Sequence, residues 1–198
     1  LVDVVDENAD ELGRIDRIAG AGDHGTGMQR GSHAGRDAAR AVVEAGAGAQ
    51  TTLNRAADAW SDRAGGTSGA IWAEILRALG AALGDESSAD ASIVARGVTN
   101  ASDAVMAFGK AKPGGKTMVD AIVPFADTLA AEVAAGAELL PAWTTAAKAS
   151  QDAADATADL TAKLGRARSH GDKSQGTPDP GAVSFALIVA AIIPVLSA

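Results

Sequence analysis

Apolar residues recur along most of this chain at intervals of three and four positions. One such stripe consists of Val94, Val98, Ala101, Val105 and Phe108, and this spacing places all five on one face of a helix. We find no alternating β-branched run bounded by hairpin turns, so no strand is predicted. Glycine, proline and capping residues divide the chain into eight predicted helices, over residues 2–13, 26–44, 50–63, 67–84, 88–109, 116–135, 138–163 and 180–197.

The short connections between these helices indicate the architecture. Helices joined by short loops pack as antiparallel neighbours, and the many alanines between the apolar stripes favour helix and permit close helix–helix approach. A chain of 198 residues is long enough for one domain with a real core. We therefore predict an all-α fold, an eight-helix antiparallel up-and-down barrel or bundle, in a single domain over residues 1–198.

Composition and charge narrow the class of partner. Hydrophobic residues make up 47% of the chain and charged residues 21%, with a net charge of −8. This acidic balance disfavours broad binding to nucleic acid or to anionic membranes. The chain contains no cysteine, begins at Leu1, and has acidic residues where a signal peptide needs basic ones. We expect a cytoplasmic protein, either processed or the C-terminal part of a longer chain.

The last segment of the chain is apolar enough to raise the question of a membrane-spanning helix. Residues 181–198 contain no charge over 18 positions, which is the lower edge of membrane-spanning length. The segment lacks a basic flank and Trp or Tyr anchors, and Pro194 lies near its end. A helix surrounded by other helices is also apolar all round, so we favour a buried core helix and predict no membrane span.

The stretch "IDRIAGAGDHGTGM" holds the first candidate chemistry. Asp16 lies at the end of the first helix and Asp23 follows seven residues later, across a Gly-Ala-Gly turn. Two carboxylates held together repel each other unless a cation intervenes, and oxygen ligands of this kind suit Mg²⁺. The residues that open the second helix present amides that favour a phosphate. The alternative is that Asp23 or Thr26 merely caps the helix while Asp16 is solvated.

Three further loops bear on an anion site. "GGTSG" supplies Thr67 and Ser68 at another helix start, although a simple cap explains it equally well. "TPDPG" is a strong helix start, with Asp179 as N-cap and Pro180 at the first position. The long loop over residues 164–179, with basic residues concentrated within 163–173, is either an anion receptor or a solvated loop. "GKAKPGGKT" is not a Walker A loop, because its spacing is one residue too long and it follows a helix.

Four motifs in the same order resemble the nucleotide-binding, L-subunit-type domain of the dihydroxyacetone kinase family. They read "IDRIAGAGDHGTGMQRG", "GGTSG", "PGGKTMVDAIVP" and "GRARSHGDKSQGTPDPGA" and span nearly the whole chain. The resemblance implies an eight-helix barrel with ATP or ADP at one rim and a pair of Mg²⁺ ions held by three aspartates. Asp16 and Asp23 match two of these aspartates.

The resemblance also implies roles for further residues of this sequence. His24 and Arg166 would neutralise charge on the transferred group, so these two are the predicted catalytic residues. The phosphates would contact His24, Gly25, Thr26, Gly27, Thr67 and Ser68. Gly114 and Arg166 would line the nucleotide site, and Asp179, Pro180 and Gly181 would close over it. The ketose would lie on a separate domain of the same or a partner chain, and the full-length kinase would be a homo-oligomer.

Two departures from the family pattern leave alternatives open. Ala21 stands where the family has its middle metal-binding aspartate, and Gly115 stands where the family has Asp. The preferred hypothesis is the ATP·Mg²⁺ domain of a kinase for dihydroxyacetone or a tetrulose. Since metals are central to phosphoryl transfer, a catalytically weakened nucleotide-binding or regulatory module is the alternative. A third hypothesis is a helical barrel that carries a lipid in its interior.

Overall fold

The computed structural model describes residues 1–86, 88–164, 168 and 173–197. Within these residues every regular element is a helix and there is no strand, which confirms the all-α prediction. The α-helices are α1 (Val2–Ala19), α2 (His24–Glu44), α3 (Ala49–Ala64), α4 (Gly66–Leu83), α5 (Ala91–Gly109), α6 (Val119–Ala134), α7 (Leu139–Ala156) and α8 (Pro180–Leu196), with a 3₁₀ turn at Thr157–Asp159.

The helices pack against one another in chain order. Each one contacts the next, and α1 also contacts α8, so that the contacts form a closed circuit. Most of the connections are short, which makes consecutive helices antiparallel neighbours. The even-numbered helices therefore begin at one end of the bundle, and the odd-numbered helices begin at the other.

Aromatic rings from five helices fill the interior. Trp60, Trp72, Phe185, Phe125 and Trp143 form a continuous series in which neighbouring ring centroids lie 4.9 to 6.1 Å apart. Stacked and edge-on pairs at these distances add to the free energy of burial. Fully buried alanines on the same helices let the backbones approach closely around the rings. The hypothesis of a lipid inside the bundle stays a prediction.

Two helix ends differ from the predicted bounds by more than three residues. Helix α1 continues to Ala19 instead of ending at residue 13, because Gly13 serves close packing and does not break the helix. A Cβ at Gly13 would lie 3.3 Å from the carbonyl oxygen of Gly22, so this glycine lets the following loop fold back on α1. Helix α7 ends at Ala156, seven residues early, where the 3₁₀ turn takes over.

Helix α8 begins as predicted. The Asp179 carboxylate accepts a hydrogen bond of 2.8 Å from the amide of Ala182, and Pro180 is the first helical residue. Phe185, Ile188 and Val189 are buried in the core, as predicted for a core helix. No helix in the described part of the chain is long and apolar enough to cross a membrane.

Candidate functional site

A cavity of about 240 Å³ lies at the end of the bundle where the even-numbered helices begin. Its wall contains residues from the first turns of α2, α4, α6 and α8 and from the last turns of α1 and α5. Four helix N-termini therefore face one cavity, each with amide groups that have no partner within the helix. The partial positive charges of these termini favour an anionic ligand.

The loop between α1 and α2 is organised by Asp16. The Oδ2 atom of this carboxylate accepts hydrogen bonds from the amides of Asp23, at 3.0 Å, and His24, at 3.2 Å. Asp16 thereby caps α2 from the neighbouring helix, whereas the Asp23 side chain makes no capping hydrogen bond. A Cβ at Gly20 would overlap Asp16 Oδ1, so only glycine permits this arrangement. The alternative in which Asp23 or Thr26 caps α2 and Asp16 is solvated is wrong.

Two carboxylates at the same loop would supply oxygen donors to a metal ion. Asp16 is half-buried and lines the cavity, and Asp23, seven positions later, is exposed. The described residues contain no group of three or more histidine or acidic side chains placed to hold a metal. One or two carboxylates suffice for Mg²⁺ when substrate phosphates and water supply the remaining ligands. The donor set therefore fits Mg²⁺ that is bound together with a nucleotide.

His24 joins the starts of α4 and α8 beneath the cavity. Ser184 Oγ donates to the Gly181 carbonyl at 3.0 Å and lies 3.0 Å from His24 Nε2. A hydroxyl that already donates its proton accepts from the imidazole, which assigns the proton to Nε2. The Nδ1 atom then faces Ser68 Oγ at 3.5 Å. The ring is only 8% exposed, and its contacts fix the relative positions of three helix starts.

Asp120 organises the connection between α5 and α6. Its carboxylate accepts hydrogen bonds from the amide of Gly114 and, at 2.8 Å, from the amide of Thr117. The side chain is 8% exposed, so these two amides are its means of compensating for lost water. The break that the proline and glycines predicted between the two helices is therefore a defined turn closed by one carboxylate.

Asp179 is an acid at this end of the bundle whose pKa is strongly raised. Desolvation by burial raises the pKa of its carboxyl to about 7, and the nearby charge of Asp120 acts in the same direction. The hydrogen bond from the Ala182 amide and the charge of Lys116 oppose this rise. The carboxyl group that begins α8 is therefore poised between its charged and neutral forms near neutral pH.

The structure brings most of the predicted residues that line a site into one place. Asp16, His24, Thr67, Ser68, Asp179, Pro180 and Gly181 line the cavity. Asp23, Gly25, Thr26, Gly27 and Gly114 are not part of its wall, and a Cβ at Gly25 would overlap the carbonyl oxygen of Ala9. Gly25 thus serves the packing of α2 on α1. Arg166 lies outside the described residues.

Sequence reasoning missed one charged residue in the wall. Lys116 lines the cavity, yet its amine is directed at backbone carbonyl groups from a distant part of the chain. The partners are 44 and 58 positions away, so no local motif reveals them. The sequence signals that contained Lys116 were the Gly-Lys-Thr triplet of the rejected Walker A loop and the motif "PGGKTMVDAIVP", and neither indicates these partners.

Comparisons with known proteins find relatives of this chain. Residues 18–194 match the DAK2 domain. The chain is 56% identical, over 195 residues, to an L-erythrulose kinase from Pectobacterium atrosepticum, and the match covers 98% of this chain and 33% of that protein. It is 51% identical, over 178 residues, to a D-erythrulose kinase from Mycolicibacterium smegmatis, covering 90% of this chain and 31% of that one. The chain thus spans about a third of the length of these relatives.

A solved structure has the same fold. The dihydroxyacetone kinase from C. freundii in complex with AMP-PNP and Mg²⁺ superposes with a TM-score of 0.71 at 20% sequence identity. The match covers 98% of this chain and 32% of that one. At this level of identity the likeness concerns the architecture, which agrees with the all-α circuit of helices described above.

Proposed function

Because this chain belongs to the DAK2 domain family, we propose that it is the ATP- and Mg²⁺-binding domain of a ketose kinase. In this proposal the γ-phosphoryl group of ATP passes to dihydroxyacetone or a tetrulose that is held on a separate domain. The names of the two erythrulose kinases support a tetrulose. The share of those proteins that this chain spans leaves room for a substrate domain.

The convergence of four helix N-termini on one cavity is the observation that carries this proposal. A triphosphate is strongly anionic, and the first turns of α2, α4, α6 and α8 present positive dipole ends to it. The amide donors would come from α2 and α4, because the first-turn amides of α6 and α8 already donate to Thr117, Met118 and Asp179. The hydroxyl groups of Thr67 and Ser68 add further donors on one wall. In the described part of that wall, the lysine amine is engaged by backbone carbonyls, so helix starts supply most of the attraction.

Asp16 and Asp23 are the residues that would hold Mg²⁺. The bound ion would offset negative charge on the phosphates and on the group in transfer. Asp16 already has a fixed orientation, because two loop amides and the absence of a side chain at Gly20 determine where its carboxylate lies. Ala21 adds no donor between them, so the loop offers two carboxylates where the family pattern has three.

The remaining residues orient and neutralise the phosphates. The amide of His24 donates to Asp16 and its ring is fixed by Ser184, so the amides of Gly25 and Thr26 would be the ones that reach the phosphates at the start of α2. Arg166 would add positive charge beside the transferred phosphoryl group. Asp179 to Gly181 form the wall contributed by α8. A loose phosphoryl-transfer transition state needs positioning and charge neutralisation more than a general base, and we assign no base to this domain.

Calorimetry with ATP, in the presence and absence of Mg²⁺, tests the proposal. We expect Mg²⁺-dependent binding by the native chain, and we expect Thr67→Val to weaken it about tenfold through loss of a hydroxyl donor. Thr144→Val is the matched control, because Thr144 lies in the first turns of α7 at the opposite end. Absence of nucleotide binding by the native chain contradicts the proposal.

Ala21 also supports a second candidate function, a nucleotide-binding module with weakened catalysis. Such a module binds ATP but transfers phosphate slowly, since an incomplete metal site gives poor charge neutralisation. The two candidates separate when the matching substrate domain is added together with dihydroxyacetone or erythrulose. Phosphorylated ketose identifies the kinase, and nucleotide binding without product identifies the module.

A further inference from the structure

Lys116 adopts an unusual backbone conformation for a side chain of its size. It lies three residues before α6 with φ of +59°, a region in which residues other than glycine are uncommon. The residue is only 5% exposed, although a lysine is almost never fully buried without partners. A turn alone would be satisfied by glycine, so the side chain itself must account for a lysine here.

The buried ammonium is held by backbone carbonyl oxygens. Lys116 Nζ lies 2.9 Å from Leu160 O, 2.5 Å from Ser174 O and 3.5 Å from Ala158 O. An ammonium group has three donors, so these three acceptors match its capacity. Burial lowers the pKa of this amine, and the charges of Asp179 and Asp159 oppose that change.

These carbonyls belong to two arms of the long connection between α7 and α8. We define the first arm as residues 157–164 and the second arm as residues 173–179. Ala158 and Leu160 belong to the first arm, and Ser174 belongs to the second. One cation therefore joins the two arms.

The second arm leads directly into α8, whose first residues form part of the cavity wall. The Asp179 amide donates to Thr157 Oγ1 at 2.8 Å, and the Asp179 carboxylate caps α8. The Lys163 amide donates to the Gly115 carbonyl at 3.1 Å, which ties the first arm to the turn that holds Lys116. The position of Asp179 thus depends on contacts that converge on the lysine.

We propose that Lys116 is a positioning residue whose ammonium serves as a built-in cation, joining the two arms and fixing Asp179 and Pro180 at the cavity. Its effect on nucleotide affinity rests on the function proposed above, whereas its effect on the arms does not. The amine acts through backbone carbonyls and not on a phosphate. This separates Lys116 from the lysine of a Walker A loop, which reaches the phosphates directly.

Lys116→Ala with chemical rescue tests this role. Alanine keeps the Cβ atom and therefore the backbone strain, and n-propylammonium replaces the missing atoms together with their charge. We expect hydrogen exchange of the amides in both arms to accelerate at least tenfold and the affinity for ATP·Mg²⁺ to fall about tenfold. Millimolar n-propylammonium should restore both, and 1-propanol, which has the same shape without charge, should restore neither.

Two further variants serve as controls. Lys112→Ala removes an exposed positive charge from the connection between α5 and α6, which also holds Lys116. This substitution should leave hydrogen exchange in the two arms unchanged. Lys116→Met keeps an unbranched apolar side chain without the charge, and it replaces Lys116→Ala if the alanine variant does not fold. Native exchange in both arms of a folded Lys116 variant overturns the proposal, as does equal rescue by 1-propanol.

The two readouts also separate this proposal from the proposed function. If the native chain binds no nucleotide, hydrogen exchange in the two arms still reports whether Lys116 joins them. If the arms of a Lys116 variant lose protection while its ATP·Mg²⁺ affinity stays native, Lys116 orders the connection between α7 and α8 but does not position the site. The inference about Asp179 and Pro180 is then wrong.

Discussion

The two glycine-rich loops at the cavity end of the bundle are built on the same plan. In residues 20–24 and in residues 110–118, one aspartate from an adjoining helix accepts hydrogen bonds from two backbone amides. Asp16 does this from the last turns of α1, and Asp120 from the first turn of α6. A single carboxylate can order a short loop in this way because each oxygen accepts more than one hydrogen bond.

The two carboxylates differ in what remains available to a ligand. Asp120 is buried, and its oxygens are committed to the turn. Asp16 is half-buried, both of its loop amides bind the same oxygen, and it lines the cavity. We infer that the same local plan serves stability in one loop and ligand binding in the other. Variants that separate these two effects can test this difference.

The largest effect on stability is expected for Asp120→Ala. The substitution leaves the Gly114 and Thr117 amides without their acceptor in a buried turn, which should cost about 3 kcal/mol of unfolding free energy. Urea unfolding measures this cost. Asp127→Ala is the control, because Asp127 lies exposed on the same helix. Equal effects of the two substitutions contradict a structural role for Asp120.

Asp179 predicts a dependence of stability on pH. Its folded pKa of about 7 lies above the usual value of 3.8, so the folded state binds more protons than the unfolded state between these values. Unfolding free energy should therefore fall by about 2 kcal/mol as the pH rises from 5 to 7. Asp179→Asn retains a capping oxygen and should lack this contribution, as urea unfolding at several pH values would reveal. Parallel pH profiles for the two chains would refute the assignment.

The fold was largely predictable because its signals are local. Apolar spacing, capping residues and proline depend only on neighbouring positions, so Asp179 and Pro180 correctly marked the start of α8. Gly13 misled the prediction for α1 because a glycine used for close approach has the same sequence signature as one that ends a helix. Its partner, Gly22 O, belongs to the following loop, and sequence alone does not show that contact.

The site was predictable in its composition and less so in its connections. The motifs identified Asp16, His24, Thr67 and Ser68, which the fold brings to one cavity. The partners of Lys116 could not be foreseen, because backbone carbonyls are present at every residue and give no sequence signal. The capping of α2 by Asp16 was missed for a related reason, since a helix is usually capped by its own first residues.

Asp16→Asn should separate ligand binding from loop order. Asparagine keeps an oxygen that can accept the amides of Asp23 and His24, so unfolding free energy should change by less than about 1 kcal/mol. Loss of the charge should weaken Mg²⁺-dependent ATP binding by about 10- to 100-fold. Calorimetry and urea unfolding on the same sample compare the two effects. Asp10→Asn, at an exposed position of α1, controls for net charge, and native ATP·Mg²⁺ affinity in Asp16→Asn would place the metal elsewhere.

The smallest expected effect is a gain, from Ala21→Asp. Ala21 is exposed between two glycines of the loop that Asp16 orders, so a new carboxylate there disturbs no packing and should shift stability by less than about 0.5 kcal/mol. A third oxygen donor should strengthen ATP·Mg²⁺ binding about tenfold and leave binding without Mg²⁺ unchanged or weaker. Ala45→Asp adds the same charge in an exposed turn at the opposite end of the bundle. This control should change nucleotide affinity neither with Mg²⁺ nor without it. A gain that requires Mg²⁺ identifies residues 20–23 as the metal loop, whereas equal affinities for Ala21→Asp and the native chain mean that the two carboxylates already present complete the site.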